Sequence, residues 1–351
     1  MAESIDTSNE PKERFLRACM RLSVDSTPVW FMRQAGRYLL EYREIRKKLS
    51  LLEIVERPEV AVEVTMQPVR HLGVDAAILF SDILLPLIPM GLGLNFIRGE
   101  GPEISKPVRT LEDVRDLRRV DAKADFGQVM ECIRLLRNEL PAHVPLIGFA
   151  GGPFTVASYM VEGRPSKDYR IVKTLMYGQP EAWKALMSKL AEALGEYLLA
   201  QIDAGAQAVQ MFDSWVGVLS PSDYRRFVLP YSRQVLGAAM QRNVPVIHFG
   251  TNTAALLNDM KSAGGTVFGL DWRVPLDRAW DQLGNDVALQ GNLDPVTLFA
   301  PLDEIKRQVR AVLDAAVGRR GHIFNLGHGI LPETPVENVR AVVDMVHEWT
   351  A

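Results

Sequence analysis

A pair of arginines follows a short apolar run near the start of the chain. Arg33 and Arg37 are separated by Gln-Ala-Gly, directly after the strand-like run Val-Trp-Phe-Met. A guanidinium group donates two parallel hydrogen bonds to a carboxylate and stays charged at neutral pH. The pair therefore predicts a site for an anionic ligand. The basic residues between 43 and 48 fit better with a solvated helix face that pairs with Glu41 and Glu44.

A single aspartate stands among apolar residues after the next strand-like run. Asp82 follows the apolar run 76–80 and precedes Ile-Leu-Leu. An ionised carboxylate with such neighbours is costly unless hydrogen-bond donors reach it. A helix cap would satisfy Asp82 locally. We favour instead a carboxylate that accepts N–H bonds from a ligand or stabilises a positive charge that develops on it.

Two glycines and a tyrosine follow the third run. Gly151 and Gly152 could present backbone N–H groups to an anion at the start of a helix. The segment lacks the lysine and hydroxyl residue of a P-loop and the spacing of a dinucleotide fingerprint, so ATP and NAD are not indicated. Tyr159, a little further along, is either a core aromatic residue or a ligand contact.

Two more polar side chains belong to the set of candidates. Ser214 lacks the Gly-x-Ser-x-Gly elbow of a nucleophilic serine, which favours a hydrogen-bond donor. His328 lies between two glycines, which let a ligand approach closely, although a turn histidine bonded to the backbone is the alternative. His248 could ligate a metal, but no cysteine or second histidine stands nearby, so zinc is not favoured.

Eight short apolar runs are expected to position these residues. They lie at 28–32, 75–80, 145–150, 208–212, 245–249, 266–270, 287–290 and 322–326. Segments with helical periodicity separate them, such as 180–204. This alternation indicates a parallel sheet of the α/β class. Eight strands predict closure into a (β/α)8 TIM barrel, with a doubly wound open sheet as the alternative. Glycines and alternating apolar residues in 92–109 predict a hairpin inserted after the second strand. Active sites of such barrels lie at the carboxyl ends of the strands, where the candidates fall.

Composition limits the class of protein. The 351-residue chain is 47% hydrophobic and 24% charged, and its net charge of −3 gives no basic field for nucleic acid or anionic lipid. We expect a flexible tail at 1–10 and one domain over 11–351. Two cysteines, with no signal-like or membrane-spanning segment, predict a cytoplasmic protein without a membrane partner.

Two long stretches resemble the signature motifs of the uroporphyrinogen decarboxylase family. They are Pro-Val-Trp-Phe-Met-Arg-Gln-Ala-Gly-Arg-Tyr at 28–38 and Gly-Phe-Ala-Gly-Gly-Pro-Phe-Thr at 148–155, which leads to Tyr159. Shorter segments match in the same order at 80–84, 269–272, 289–295 and 325–329, so the resemblance runs from about residue 11 to the C-terminus. Leu40 departs from the pattern, because the family commonly has proline there. This departure concerns the stiffness of the loop rather than its chemistry.

The resemblance implies a homodimeric barrel that uses no metal or organic cofactor. It implies that uroporphyrinogen III is converted to coproporphyrinogen III by loss of four carboxylates as CO2, on the way to haem and chlorophyll. The residues that it places in the substrate cleft or its binding loop are Arg33, Gln34, Ala35, Gly36, Arg37, Asp82, Tyr159, Ser214 and His328. Asp82 would accept the pyrrole N–H groups and stabilise a cationic intermediate. Arg33, or a water that it orients, would deliver the proton, although a guanidinium is a poor acid at neutral pH.

Two other functions are weighed against decarboxylation. A zinc-dependent corrinoid methyltransferase of the same fold would need a His-x-Cys pair and a late cysteine. The corresponding segment here is His-Phe-Gly at 248–250, and Cys19 and Cys132 fall on no predicted strand-end loop. A porphyrin-binding protein without turnover is the other alternative. Asp82 disfavours it, since a carrier has little need for a central anion among the carboxylates of its ligand.

Overall fold

One parallel sheet forms the centre of the molecule. The computed structural model describes residues 13–97 and 101–351, so the tail predicted at 1–10 lies outside the described residues. The strands of this sheet are β1 (Ala77–Ile78), β4 (Leu146–Gly151), β5 (Ala208–Asp213), β6 (Val246–Gly250), β7 (Val267–Gly269), β8 (Ala288–Gln290) and β9 (His322–Ile323). Each strand pairs in parallel with the next, in the order of the chain.

The segment 28–32 closes the sheet into a barrel without forming a full strand. Val29 makes a parallel bridge with Phe324, and the Val29 carbonyl accepts the Asp75 N–H at 2.8 Å, beside the start of β1. The N–H groups of Phe31 and Met32 donate to side chains instead of to a neighbouring strand, which limits the pairing here to a bridge. The predicted TIM barrel is confirmed, and the doubly wound sheet is not.

Two short strands lie in the chain between β1 and β4. Strand β2 (Leu94–Ile97) pairs antiparallel with β3 (Gly101–Ile104), and Phe96 stands opposite Pro102. This is the interval in which the sequence predicts a hairpin. Residues 98–100, which join the two strands, lie outside the described part of the chain.

Helices cover the outside of the barrel. Their bounds are α1 (Arg14–Cys19), α2 (Leu40–Lys48), α3 (Leu51–Val55), α4 (Pro58–Leu72), α5 (Leu111–Asp116), α6 (Ala122–Asp125), α7 (Gly127–Glu139), α8 (Pro153–Glu162), α9 (Arg170–Gly178), α10 (Pro180–Ala204), α11 (Pro221–Phe227), α12 (Leu229–Met240), α13 (Leu257–Ala263), α14 (Leu276–Leu283), α15 (Leu302–Asp314) and α16 (Val336–Thr350). None of the helices in this described part of the chain combines the length and the apolar character needed to cross a membrane.

Local signals in the sequence locate α10 well, and the basic residues at 43–48 lie on a helix as expected. Helix α10 begins at Pro180, whose ring suits the first turn, and stops before Gly205, which adopts a φ of 122° that favours glycine. Helix α2 carries the basic residues that follow Arg37. Its Lys47 pairs with Glu44 at 2.6 Å on an exposed surface, as expected of a solvated helix face.

Buried polar side chains cross the interior of the barrel beneath its carboxyl end. The Trp30 indole N–H donates to Gln290 Oε1 at 3.0 Å, and Gln290 Nε2 donates to Gln210 Oε1 at 3.1 Å. All three side chains are buried, so each hydrogen bond replaces one that water would otherwise make. This series of hydrogen bonds ties the 28–32 segment to β8 and β5.

Candidate active site

A cavity of about 420 Å³ opens at the carboxyl end of the barrel. Of the candidates from the sequence, those that line it are Arg33, Ala35, Gly36, Arg37, Asp82, Tyr159, Ser214 and His328. They come from segments that follow different strands, and Tyr159 lies on α8. A closed parallel barrel brings the carboxyl ends of all its strands to one face. The sequence separates these residues by up to three hundred positions, and the fold places them around one space.

Arg33 lies in a tight turn with a left-handed backbone. Its φ is 61°, which costs a residue with a Cβ atom about 1–3 kcal/mol and persists only where the surrounding structure holds it. The Asn325 side chain accepts the Met32 N–H at 3.2 Å, and the Ile330 N–H donates to the Met32 carbonyl at 2.9 Å. Gly329 lies flat against the arginine, since a Cβ atom at 329 would come within 2.6 Å of Arg33 Cγ. The turn and the glycine together set the direction of the guanidinium.

Gln34 is placed differently from the other candidates. Its side chain is fully buried, accepts the Phe31 N–H at 3.0 Å and donates to the Ala76 carbonyl at 3.0 Å. The Tyr38 hydroxyl donates to its backbone carbonyl at 2.7 Å. The expectation that Gln34 contacts substrate therefore needs correction for its side chain, which faces the barrel wall. Its amide is used to shape the loop that carries Arg33.

Asp82 is a half-buried carboxylate at the cavity wall. Its Oδ1 accepts the Leu84 N–H at 2.8 Å, a local backbone partner of the kind that the helix-cap alternative anticipates. Burial raises the pKa of Asp82 from 3.8 to about 6, although the Leu84 N–H and the positive charge of Arg33 pull it down. Asp82 is therefore mainly ionised at pH 7, and it takes up a proton as the pH falls through about 6.

At neutral pH the side chains of Tyr159 and His328 are uncharged, and each can donate a hydrogen bond. Burial, and then the negative charge of Asp82, raise the pKa of Tyr159, so its hydroxyl remains a donor. Burial, and then the positive charge of Arg33, lower the pKa of His328 to about 4. The imidazole is neutral at pH 7 and offers one N–H donor and one acceptor nitrogen.

An aromatic wall, made of Phe149, Phe212, Trp215 and Phe249, completes the cavity. The ring centroids of Phe149 and Phe212 are 5.4 Å apart, and those of Phe212 and Phe249 are 5.8 Å apart. Trp215 lies 6.2 Å from Tyr159 by the same measure. This wall was not predicted from the sequence. The signal was present, since these aromatic residues stand at or just after the ends of three successive strands, where side chains face the cavity.

Gly152 serves packing rather than anion binding. Its N–H donates to the Phe212 carbonyl at 2.8 Å and so belongs to the sheet. A Cβ atom at 152 would come within 2.6 Å of Asp213 Cγ. The expectation that this N–H faces an anion is therefore wrong, because the neighbouring strand already uses it. The glycine lets α8 start close to the end of β5.

A buried pair, Asp213 and His248, lies beneath Ser214. His248 Nε2 is 3.5 Å from Asp213 Oδ2, and neither side chain is exposed. The Asp213 carboxylate also accepts bonds from the hydroxyls of Thr155 at 3.4 Å and Ser232 at 3.3 Å. His248 Nδ1 lies 3.2 Å from the Gly264 carbonyl. Within the described residues, no cluster of three or more histidine, cysteine, aspartate or glutamate side chains is arranged to hold a metal ion.

Comparison with known proteins agrees with the motifs and the geometry. The family model described as uroporphyrinogen decarboxylase (URO-D) matches residues 10–349. The chain belongs to this family. It is 60% identical over 335 residues to the uroporphyrinogen decarboxylase of Sorangium cellulosum (strain So ce56), covering 95% of this chain and 96% of that protein. It is 57% identical over 339 residues to that of Carboxydothermus hydrogenoformans, covering 97% of each.

Solved structures with the same fold include proteins of other activities. A methyltransferase from Methanosarcina mazei superimposes with a TM-score of 0.77 at 22% identity, over 97% of this chain and 98% of that one. A B12-independent methionine synthase from Shewanella sp. W3-18-1 gives a TM-score of 0.58 at 12% identity, over 86% and 91%. At these identities the likeness concerns the barrel and not the chemistry.

Proposed function

We propose that this chain is a carboxy-lyase that converts uroporphyrinogen III to coproporphyrinogen III and four CO2 in tetrapyrrole biosynthesis. The observation that carries the proposal is membership of the uroporphyrinogen decarboxylase family over residues 10–349. The cavity supports it physically. Arg33 and Arg37 stand where carboxylate arms need cations, the aromatic wall suits the pyrrole rings, and Asp82 is the carboxylate among them.

Asp82 stabilises positive charge on the substrate. A reduced, non-planar tetrapyrrole can turn its four N–H groups to one side, where an ionised Asp82 accepts them. The same carboxylate lies close to the ring when that ring becomes cationic. Attraction between the two charges is stronger for a half-buried carboxylate than for one in bulk water. The Leu84 N–H also holds Asp82 in place before the substrate binds.

The substrate acts as its own electron sink. Protonation of a pyrrole α-carbon next to an acetate arm makes the ring cationic. The bond from the acetate methylene to its carboxylate then breaks, CO2 leaves, and the bonding electron pair neutralises the ring. Protonation of the resulting exocyclic methylene gives a methyl group and restores the pyrrole by loss of the ring proton. Arg33, or a water that it orients, delivers the first proton, while Tyr159 and His328 bind carboxylates through hydrogen bonds. This route needs no cofactor.

The zinc-dependent methyltransferase gains no support from the residues around the barrel end. Both nitrogens of His248 face groups of the core, the Gly264 carbonyl and Asp213. Cys19 and Cys132 are buried, away from the cavity lining. The likeness to a methyltransferase is one of fold. A purified sample with one zinc ion per chain would revive this alternative.

Three further parts of the proposal rest on the family resemblance and composition. Residues 11–351 form one catalytic domain, the active species is a homodimer, and it works in the cytoplasm without nucleic acid or membrane partners. Sedimentation equilibrium tests the dimer directly. A mass of one chain at concentrations that sustain full activity would overturn it.

Anaerobic turnover tests the reaction itself. The enzyme is incubated with uroporphyrinogen III, the products are oxidised, and porphyrins with eight to four carboxylates are separated by chromatography. We expect successive loss of carboxylates that ends at four, with an Asp82→Asn sample run in parallel. If no porphyrin with fewer than eight carboxylates forms, the proposed function is wrong. Binding without turnover would favour the carrier.

A further inference from the structure

One peptide bond in the cavity wall is held at both of its polar atoms. It joins Ser214 and Trp215, which both line the cavity. Its carbonyl accepts a hydrogen bond from the Thr251 hydroxyl at 2.6 Å, and its N–H donates to the Thr155 hydroxyl at 3.2 Å. We call these two residues the threonine clamp. Both threonine side chains are buried, whereas Ser214 and Trp215 are half-buried, so the clamp holds this part of the wall from within the protein.

The two threonines come from the ends of different strands. Thr155 lies in the first turn of α8, which follows β4, and Thr251 directly follows β6. Strand β5 lies between these two strands in the sheet and ends at Asp213, one residue before the clamped peptide. The loop also fits closely against Thr251, since a Cβ atom at Gly217 would overlap the Thr251 carbonyl. The position of the peptide is therefore fixed by three strand ends and not by its own loop alone.

Asp213 orients the hydroxyl of Thr155. A threonine hydroxyl has one proton to donate and lone pairs that accept hydrogen bonds. The Thr155 hydroxyl donates to Asp213 Oδ1 at 3.4 Å, which leaves a lone pair for the Trp215 N–H. Asp213 lies against the N-terminus of α8, where a Cβ atom at Gly152 would overlap its Oδ1, and a helix N-terminus favours negative charge. The buried carboxylate thus has a defined task at the end of β5.

The clamp also sets the position of Trp215 relative to Tyr159. Thr155 and Tyr159 are four residues apart on α8, so they lie on one face of that helix. Thr155 binds the backbone of Trp215, and the centroid of the Trp215 ring lies 6.2 Å from that of Tyr159. A displacement of about 1 Å at a residue that positions substrate can lower the rate of an enzyme on the order of a hundredfold. Small shifts of this peptide should therefore be felt in the cavity.

We propose that Thr155 and Thr251 are positioning residues for substrate binding, which act through Trp215 and Ser214 and do not touch the tetrapyrrole. The identity of the ligand rests on the proposed function. Four acetate arms of one macrocycle must react in turn beside the same Asp82. A wall of fixed geometry presents the substrate and each intermediate in the same way. Loss of the clamp weakens their binding and releases porphyrins with seven to five carboxylates early in the reaction.

Nearly isosteric variants test this assignment by steady-state kinetics. Thr155→Val and Thr251→Val keep the shape of the side chain and remove the hydroxyl, whereas the two serine variants keep the hydroxyl. For each valine variant we expect KM for uroporphyrinogen to rise about three- to tenfold, with kcat within about threefold of the parent. Both serine variants should stay within about twofold of the parent in KM. Ser158→Ala is the matched control, because it removes a buried hydroxyl of α8 that donates to the Phe154 carbonyl at 2.8 Å; it should match the parent.

A double-mutant cycle separates positioning from a general loss of structure. In a Trp215→Leu background, Thr155→Val should raise KM less than about twofold, because the ring that it positions is absent. The proposal is overturned if the valine variants match Ser158→Ala in KM, if the serine variants are as impaired as the valine variants, or if Thr155→Val keeps its full effect in the Trp215→Leu background. If Thr155→Val does not fold, Thr251→Val in the parent and in a Ser214→Ala background decides the same question. A parent enzyme without turnover would refute the proposed function instead.

Discussion

Ionisation of Asp82 is expected to lower the stability of the folded protein. Burial raises its pKa from 3.8 to about 6, so the folded state binds this proton more tightly than the unfolded chain does. The stabilising effect of that proton is complete below pH 3.8, declines as pH rises towards 6 and is absent above that value. A shift of about two pKa units corresponds to about 3 kcal/mol, as an upper value.

Asp82→Asn should therefore stabilise the protein while it abolishes decarboxylation. Asparagine keeps a carbonyl oxygen for the Leu84 N–H and carries no charge to bury. We expect the free energy of unfolding at pH 8 to rise by up to about 3 kcal/mol, and by roughly half as much at pH 5. Urea unfolding of parent and variant at both pH values measures the difference, and anaerobic turnover measures the loss of activity.

Asp75→Asn is a matched control with the opposite expectation. Asp75 is also largely buried, but it accepts bonds from Arg14 at 3.0 Å and the Val29 N–H at 2.7 Å, and it lies 2.7 Å from His347 Nε2. Loss of its charge removes the more buried of the two carboxylates that pair with Arg14, the other being Asp25, and should destabilise the protein at pH 8. If Asp82→Asn were no more stable than the parent at pH 8, or if its advantage did not change with pH, this account of Asp82 would be refuted.

Three other residues of the cavity supply independent tests. Gly329→Ala places a Cβ atom within 2.6 Å of Arg33 Cγ, so kcat/KM should fall about tenfold or more. The circular dichroism spectrum should be unchanged. Normal turnover would show that Arg33 need not keep this position. Arg33→Lys keeps the charge and loses the planar fork, and we expect a loss of about tenfold or more; undiminished turnover would make a specific guanidinium role untenable. The pH profile of kcat/KM should fall below about pH 6 as Asp82 is protonated. His328→Gln should leave that limb in place, because the pKa of His328 is about 4; disappearance of the limb would assign it to the histidine.

Much of the architecture could be predicted from the sequence because its signals are local. Helix α10 begins at a proline and stops before a glycine, and both effects act within one turn of backbone. The apolar runs that correspond to β4–β9 are nearly continuous, which predicts a sheet that is covered on both faces. The run at 28–32 is the exception. It makes only a bridge, because side chains of the neighbouring loops take the N–H groups that a strand would have used.

The sequence by itself determined which residue types stand at the strand ends, and this sufficed to gather Arg33, Asp82 and His328. A closed barrel brings every strand end to one face, whatever the details of packing. Only the tertiary structure decided which way each side chain turns. Gln34 is buried against the wall, Gly152 gives its N–H to the next strand, and burial raises the pKa of Asp82. The direction and burial of a side chain depend on neighbours that are distant in the chain, so a local sequence pattern cannot predict them.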